Sequence, residues 1–356
     1  MPDLLQCGIE LVERGLVPDV ITRAAIRSLC RTRADLARET FVQEESDLFL
    51  ESLQAAPIAL FPEKANEQHY ELPSEFFELM LGSRRKYSCC YFPTAATTLD
   101  AAEEAALSLT CEHADLHDGQ SILELGCGWG SLSLWMAERY PLSRVLALSN
   151  SQPQRAFIEK QARLRSLTNL QVLTADINHF QTEETFDRVI SVEMFEHLRN
   201  YQLVLRKIAS WLNTGGKLLV HHFCHRSVAY PFEVEGAANW MGRYFFTGGL
   251  MPTADLLSRF TRDFTVTQQW NWNGMHYSRT ADSWLVVLDQ HRKPAIEILK
   301  KAYGQDATQW FHRWRMFHLA VSELFAFNRG EEWFVTHQLL EPIAVNSSIA
   351  FQIASH

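Results

Sequence analysis

Glu193, Glu196 and His197 fall within five residues of one another in the stretch "SVEMFEHLRNY", which runs from Ser191 to Tyr201. The apolar run Val189-Ile190-Ser191-Val192 leads into them, and charged groups at the end of a buried strand are costly unless they are paired or used. Two carboxylates attract a cation, and an imidazole or carboxylate beside it can accept a proton. A protonated amine fits both properties, since it must lose a proton before its nitrogen can act as a nucleophile. Groups this close titrate as a set, so the sequence leaves open which of the three is the base. A purely structural role competes: Glu196 or His197 capping a helix that begins near Leu198, where acidic residues are favoured.

A second signal lies upstream in Glu124-Leu-Gly126-Cys-Gly128-Trp-Gly130. Alternate glycines let a backbone turn sharply and approach a ligand closely before a helix starts. The third glycine comes one residue too early for GxGxxG, and the second strand ends in Ser149-Asn150-Ser151, without the acid a dinucleotide ribose wants. No GxxxxGK[ST] occurs, which removes a P-loop. An acidic residue before GxGxG is the pattern of S-adenosylmethionine-dependent methyltransferases. Asp176, closing the third strand in "TADIN", suits the adenine amino group, with helix capping as its structural alternative. "HHFCH" (His221, His222, Cys224, His225) invites a metal reading, but strand alternation turns His221 and His222 to opposite faces. No metal is expected.

The elements that must position these residues change texture along the chain. Residues 1 to about 110 read as helices with no strand pattern, the helix of "VITRAAIRSLCRTRADLARETF" being started by Pro18-Asp19. From about 120, "QSILELG", "RVLALSN", "LQVLTAD", "FDRVISVE" and "GKLLVHHF" alternate with helical patterns near 130–140, 152–166 and 198–212. That alternation predicts βαβ units and a mainly parallel sheet. "FTVTQQWNW" and "EWFVTHQLLEP" would complete it. Long helices, "SWLVVLDQHRKPAIEILKKAYG" and "ATQWFHRWRMFHLAVSELFAF", fill about 276–327. The expected architecture is α/β: a class I methyltransferase (Rossmann-like) fold with a seven-stranded mostly parallel sheet. Residues 1–110 form a helical segment and a cofactor-covering loop. Residues 111–356 form the core, with covering inserts at about 225–250 and 276–327.

Composition narrows the partners. A net charge of −9 without any Lys/Arg-rich run argues against nucleic acid, and mildly favours a cationic small molecule. No apolar stretch approaches the ~20 residues that span a bilayer, and the N-terminus does not read as a signal peptide. Seven scattered cysteines fit reduced thiols in the cytoplasm better than a disulfide framework. Arg23, Arg27, Arg31 and Arg33 share a helix with Asp35 and Glu39, which reads as a solvated face rather than a lipid-binding one. A homodimer is the default oligomer.

Taken in order, "ANEQHYELP", "KYSCCYF", "LELGCGWG", "LSNSQPQ", "SVEMFEHLRNY", "HHFCH", "RYFFTGGLMP", "NGMHYSRT" and "WRMFHLAVSELFAFNRGEEW" resemble the coclaurine N-methyltransferase-type enzymes. These are the amine-methylating branch of the cyclopropane fatty acid synthase superfamily. The resemblance implies S-adenosylmethionine as cofactor and S-adenosylhomocysteine as its product. It places Tyr87 and Ser88 over the methionyl part, Gly126 and Gly128 by the sulfonium-bearing moiety, Asn150 and Gln154 at the ribose, and Asp176 and Ile177 beside adenine. It assigns Glu193, Glu196 and His197 to the acid–base cluster and Trp314 and Phe317 to aromatic walls of the substrate pocket. Phe245 and Phe246 are further candidates for a cation–π cage.

The resemblance also implies a competing chemistry. Cyclopropane synthases hold a bicarbonate as base with a cysteine, a glutamate, a histidine and a tyrosine, and Cys89, Glu196, His221 and Tyr277 match those positions. Two departures favour the amine: Phe223 replaces a smaller aliphatic residue, and Glu193 is a second carboxylate that an alkene substrate does not need. The expectation is S-adenosylmethionine-dependent N-methylation of a small aromatic or isoquinoline-like amine. The alternative is bicarbonate-assisted methylene or methyl transfer to an unsaturated lipid.

Overall fold

The computed structural model describes residues 4–39, 43–60 and 72–343; "ANEQHYELP" lies mostly outside them. Strands β1 (Ser121–Leu125), β2 (Arg144–Ser149), β3 (Leu170–Thr174), β4 (Phe186–Val192) and β5 (Leu212–His225) precede a small hairpin, β6 (Tyr230–Pro231) and β7 (Leu250–Met251). Two more follow, β8 (Phe264–Trp272) and β9 (Trp333–Pro342). Seven of these form one sheet in the order β3-β2-β1-β4-β5-β9-β8. Neighbours run parallel from β3 to β5, and β9 is antiparallel to both β5 and β8. The seven-stranded, mostly parallel sheet expected from the sequence is the one observed.

The apolar runs of these strands are buried on both faces, as a parallel sheet between helical layers requires. Helices α1 (Leu4–Glu13), α2 (Asp19–Glu39), α3 (Gln43–Ala55), α4 (Ser74–Glu78), α5 (Leu99–His113), α6 (Ser131–Arg139), α7 (Gln152–Leu164) and α8 (Tyr201–Trp211) come first. They are followed by α9 (Trp240–Tyr244), α10 (Met275–Gln290), α11 (Arg292–Tyr303) and α12 (Ala307–Ala326). Leu123, Leu125, Leu146, Val189, Leu218 and Val220 pack on Val204, Leu205 and Ile208 of α8. The alternate residues Ile122, Val145, Ile190 and Leu219 pack on Leu107 and Cys111 of α5 and on Leu132 and Met136 of α6. This period-2 division of one apolar run holds the strand ends rigidly.

Three local departures from the sequence reading have physical causes. The helix expected near Leu198 starts at Tyr201, because Asn200 is its cap and accepts the Leu203 N–H at 2.9 Å; Phe195–His197 form one 3₁₀ turn before it. The continuous helix read into "SWLVVLDQHRKPAIEILKKAYG" is broken at His291 between α10 and α11. Pro294 has no N–H to offer the Gln290 carbonyl, and its ring would clash there. Finally, the arginines of α2 do not form a simple solvated face. Arg23 donates to Asp282 at 2.7 Å and to Glu323 at 3.0 Å, and Arg27 to Glu323 at 3.0 Å. Glu323 on α12 is buried, and a buried carboxylate needs such partners. Arg33 lies 5.0 Å over the Tyr230 ring.

Candidate active site at the strand ends

The carboxyl ends of β1, β2, β3 and β4 converge where the chain order reverses between β1 and β4, the place where open α/β sheets bind ligands. Two adjoining cavities open there and share Gly126, Gly128 and Glu193. One, of about 790 Å³, is lined by Asn150, Gln154, Asp176, Ile177 and His197. The other, of about 580 Å³, is lined by Tyr87, Ser88, Glu124, Trp129 and Ser131. All eight residues assigned to the cofactor thus line one or other cavity.

The nucleoside side is built from backbone and from strand ends. Gly126 sits at φ 76°, and a Cβ there would meet the Met194 sulfur at 2.8 Å. Gly128, at φ 51°, faces open space: a Cβ there would meet nothing within 4 Å. Ser151 caps α7, and the Ser149 hydroxyl donates to the Gln154 Oε1 at 2.7 Å. That leaves Gln154 Nε2 buried without a partner at the cavity wall, a donor suited to a ribose hydroxyl. In the second cavity the buried Trp129 Nε1 and Ser131 Oγ are also unpartnered. Ser131 opens α6, whose N-terminus favours an anion such as a carboxylate. Unpaired donors, a glycine cradle and Asp176 facing the first cavity match the adenosine and methionyl ends of S-adenosylmethionine, so the residues fit the group. Burial pushes the Glu124 carboxyl up to about 8, while the Ser133 hydroxyl donates to it.

The acid–base side is assembled from distant segments. Glu193 leaves β4 with φ 47°, a conformation strained for a non-glycine residue, and its N–H donates to the His221 carbonyl at 2.8 Å. Its Oε1 accepts the Cys89 N–H at 2.8 Å and lies 3.2 Å from His221 Nε2; its Oε2 accepts the Tyr277 hydroxyl at 2.6 Å. Three of the four residues assigned to a bicarbonate therefore gather around a carboxylate belonging to the chain. Burial raises the Glu193 carboxyl above its ordinary range, and the nearby Lys86 ammonium, the Cys89 N–H and the Tyr277 hydroxyl oppose the shift.

Glu196, the fourth of those residues, is fully buried and lines neither cavity. Its Oε1 accepts the Phe223 N–H at 2.8 Å, and its Oε2 has no partner. Burial, and then the charge of Glu193, drive its carboxyl far above the ordinary range. His197 faces the larger cavity and stacks on Phe246, with ring centroids 5.2 Å apart. Burial lowers its imidazole to about 4, so it is neutral at pH 7. With Asn200 as the cap, neither Glu196 nor His197 is needed for helix α8.

Trp314 and Phe317 line neither cavity; both are packed in an aromatic cluster with Phe245, which stacks on Phe317 at 4.4 Å. Trp314 reaches toward the site through Tyr87, with centroids 6.4 Å apart, and through Phe77, which packs on Trp129. Among the described residues no group of three His, Cys, Asp or Glu is arranged to hold a metal ion. Sequence reasoning missed Lys86, whose buried ammonium donates to the Ser88 hydroxyl at 2.6 Å and the Cys89 carbonyl at 2.7 Å. Its position beside Tyr87 was the available signal. It also missed Thr247 and Gly248, which line the larger cavity from within "RYFFTGGLMP".

Comparison with known proteins agrees with this geometry. The mycolic acid cyclopropane synthetase family model matches residues 61–327. The chain is 40% identical over 341 residues to (S)-coclaurine N-methyltransferase of Thalictrum flavum subsp. glaucum, covering 94% of each protein. It superimposes on a crystal structure of coclaurine N-methyltransferase bound to N-methylheliamine and SAH with a TM-score of 0.90 and 38% identity, covering 94% of this chain and 98% of that one. A cyclopropane synthase of Mycobacterium tuberculosis matches with a TM-score of 0.69 and 26% identity, covering 79% of this chain and 98% of that one. Glycine cradle, strand order and overall likeness lead to one assignment: the chain belongs to the cyclopropane fatty acid synthase superfamily of S-adenosylmethionine-dependent methyltransferases, on its coclaurine N-methyltransferase branch.

Proposed function

We propose that the protein methylates the nitrogen of a small aromatic amine of the isoquinoline type. The observation that carries this reading is the position of Glu193. Its carboxylate takes the donors of Cys89, His221 and Tyr277, so the anion of the site is part of the chain, where an ammonium can be drawn to it. The 40% identity to an (S)-coclaurine N-methyltransferase and the likeness to one bound to N-methylheliamine support the isoquinoline class.

S-adenosylmethionine, when bound, supplies a methyl group already activated on a sulfonium. Tyr87, Ser88, Gly126, Gly128, Asn150, Gln154, Asp176 and Ile177 would hold it, and Glu193 and His197 line the same cleft. Glu193 attracts the substrate ammonium, and burial weakens the charged form of the amine. Glu193, with His197 beside it, accepts the proton; Glu196 lies sealed beneath them. The freed lone pair then attacks in line, and holding it there accounts for much of the rate. Phe246 stacks on His197 and holds that imidazole at the cavity wall. Trp314 and Phe317 pack behind the cleft, both against Phe245 and Trp314 also against Tyr87. Seven free cysteines, six of them buried, support a cytoplasmic setting, and no described helix is long and apolar enough to cross a membrane. We retain a homodimer as the working oligomeric state.

The test is transfer of labelled methyl to a panel of isoquinoline and phenethyl amines beside unsaturated phospholipid, each with and without bicarbonate. Label in an amine, indifferent to bicarbonate, is expected. Label in lipid that requires bicarbonate would overturn the reading.

A further inference from the structure

Glu193 and Glu196 are two buried carboxylates three residues apart, and acids this close do not both ionise away from water. An ammonium substrate needs the charge on the one it can reach. Glu193 lines both cavities and Glu196 lines neither. Hydrogen bonds point the same way: Glu193 takes the Cys89 N–H and the Tyr277 hydroxyl, while Glu196 takes the Phe223 N–H and has an unpartnered Oε2. A carboxylate sealed in this way still calls for a counter-charge.

Lys86 stands where one is needed. The residue is 3% exposed, yet its ammonium bonds only to neutral oxygens, the Ser88 hydroxyl at 2.6 Å and the Cys89 carbonyl at 2.7 Å. A buried charge without a charged partner in contact is costly unless it is used. The N–H of the same Cys89 donates to Glu193 Oε1 at 2.8 Å, so one residue's backbone separates the ammonium from the carboxylate. Both groups line the smaller cavity. The segment is fixed from behind: buried Glu103 on α5 accepts the N–H groups of Gly82, Arg84 and Lys86 at 3.0, 2.7 and 3.1 Å. Arg85, the other cation among the residues lining the two cavities, is spent elsewhere. It pairs with Glu78 at 2.8 Å and lies 4.3 Å over the Phe157 ring.

We propose that Lys86 is a positioning residue that settles which of the two acids carries the charge: its ammonium holds Glu193 as the anion that meets the substrate amine and leaves Glu196 as the neutral acid beneath. The inference rests on the N-methylation reading above. The other titratable groups around Glu193 supply no cation. His197 of the 3₁₀ turn, His221 and His222 of β5, and His337 of β9, which opposes His221, are imidazoles that burial lowers, so they are neutral at pH 7. Burial raises the Tyr277 hydroxyl on α10 and the Cys89 thiol, which stay protonated. Burial also raises Glu193, and Lys86 opposes that rise; at Glu196 burial and the Glu193 charge both raise the carboxyl, and only backbone N–H groups oppose them.

The test compares the full wild-type chain with Lys86→Gln, which is neutral and keeps a donor, and Lys86→Met, which is neutral and has none. At saturating S-adenosylmethionine, the pH profile of kcat/KM for the amine reports the groups of the amine-free protein. In both neutral variants the acid limb should move up by about one pH unit or more, a roughly tenfold loss at the foot of the limb, and rejoin wild type on the alkaline side. The amine's own titration is common to all the profiles and cancels. Lys86→Arg, which keeps the charge, should leave the limb where wild type has it. Thermal melting identifies the folded variants, and Lys86→Gln carries the test if Lys86→Met does not fold. An unmoved limb, or a loss equal at every pH, would overturn the role of Lys86. If wild-type protein methylates no amine, the N-methylation reading itself fails; if it does and the limb stays in place, only the role of Lys86 fails.

Discussion

The two sides of the cleft are built in different ways. The nucleoside side comes from consecutive pieces of chain: a glycine turn after β1, the Ser149–Gln154 turn after β2, and Asp176 after β3. The acid–base side draws on residues spread along the sequence. Cys89, His221 and Tyr277 meet at the Glu193 carboxylate. A site made of strand ends inherits its geometry from the sheet; a site made of distant side chains depends on every element that brings one in.

Breaking the first side should have the largest effect on binding. Gly128→Val puts a β-branched side chain at φ 51° into the open cradle. Strain and clash of ~3 kcal/mol should weaken cofactor binding about 100-fold, as calorimetry would show; unchanged affinity would remove the cradle from the argument. Breaking the second side should instead spare binding. Glu193→Gln keeps the shape but removes the charge, and kcat should fall roughly 10² to 10³-fold while calorimetric affinity for S-adenosylmethionine stays close to wild type. A smaller change sharpens the contrast. Gln154→Leu deletes the unpartnered Nε2 donor and should raise the cofactor Kd about tenfold, ~1.4 kcal/mol, with kcat at saturation unaltered. The smallest effect is expected at Cys89→Ala. Cys89 serves Glu193 through its backbone N–H, which alanine retains, so kcat should stay within about twofold and only ~1 kcal/mol of stability should be lost with the buried sulfur. A collapse of kcat there would mean that the thiol itself takes part.

What the sequence revealed follows the same division. Period-2 apolar runs and the glycine turn lie within short windows, so sheet, strand order class and nucleoside side could be read from them. Glu193, Glu196 and His197 were visible because they crowd into one turn. Yet their unequal burial was not, since Glu196 points under the surface while its neighbours face the cleft. His337 sits in "FVTHQLLEP" with no local mark, and only the β5–β9 register places it against His221. The break at His291 was readable from Pro294. The docking of Arg23 and Arg27 was not, because their partner Glu323 lies about 300 residues away.

The carboxylate that fills the Cys89–His221–Tyr277 cradle is tethered by a single residue's backbone at φ 47°. An anion fixed in this way is held at the cradle by the chain itself, and its local concentration does not depend on that of any dissolved ion. It cannot dissociate between turnovers, and it does not have to be captured from solution. Occupancy of the cradle is therefore independent of how much carbon dioxide is dissolved around the protein. A cell's aeration, which would set the supply of a diffusible base, has no hold on this one.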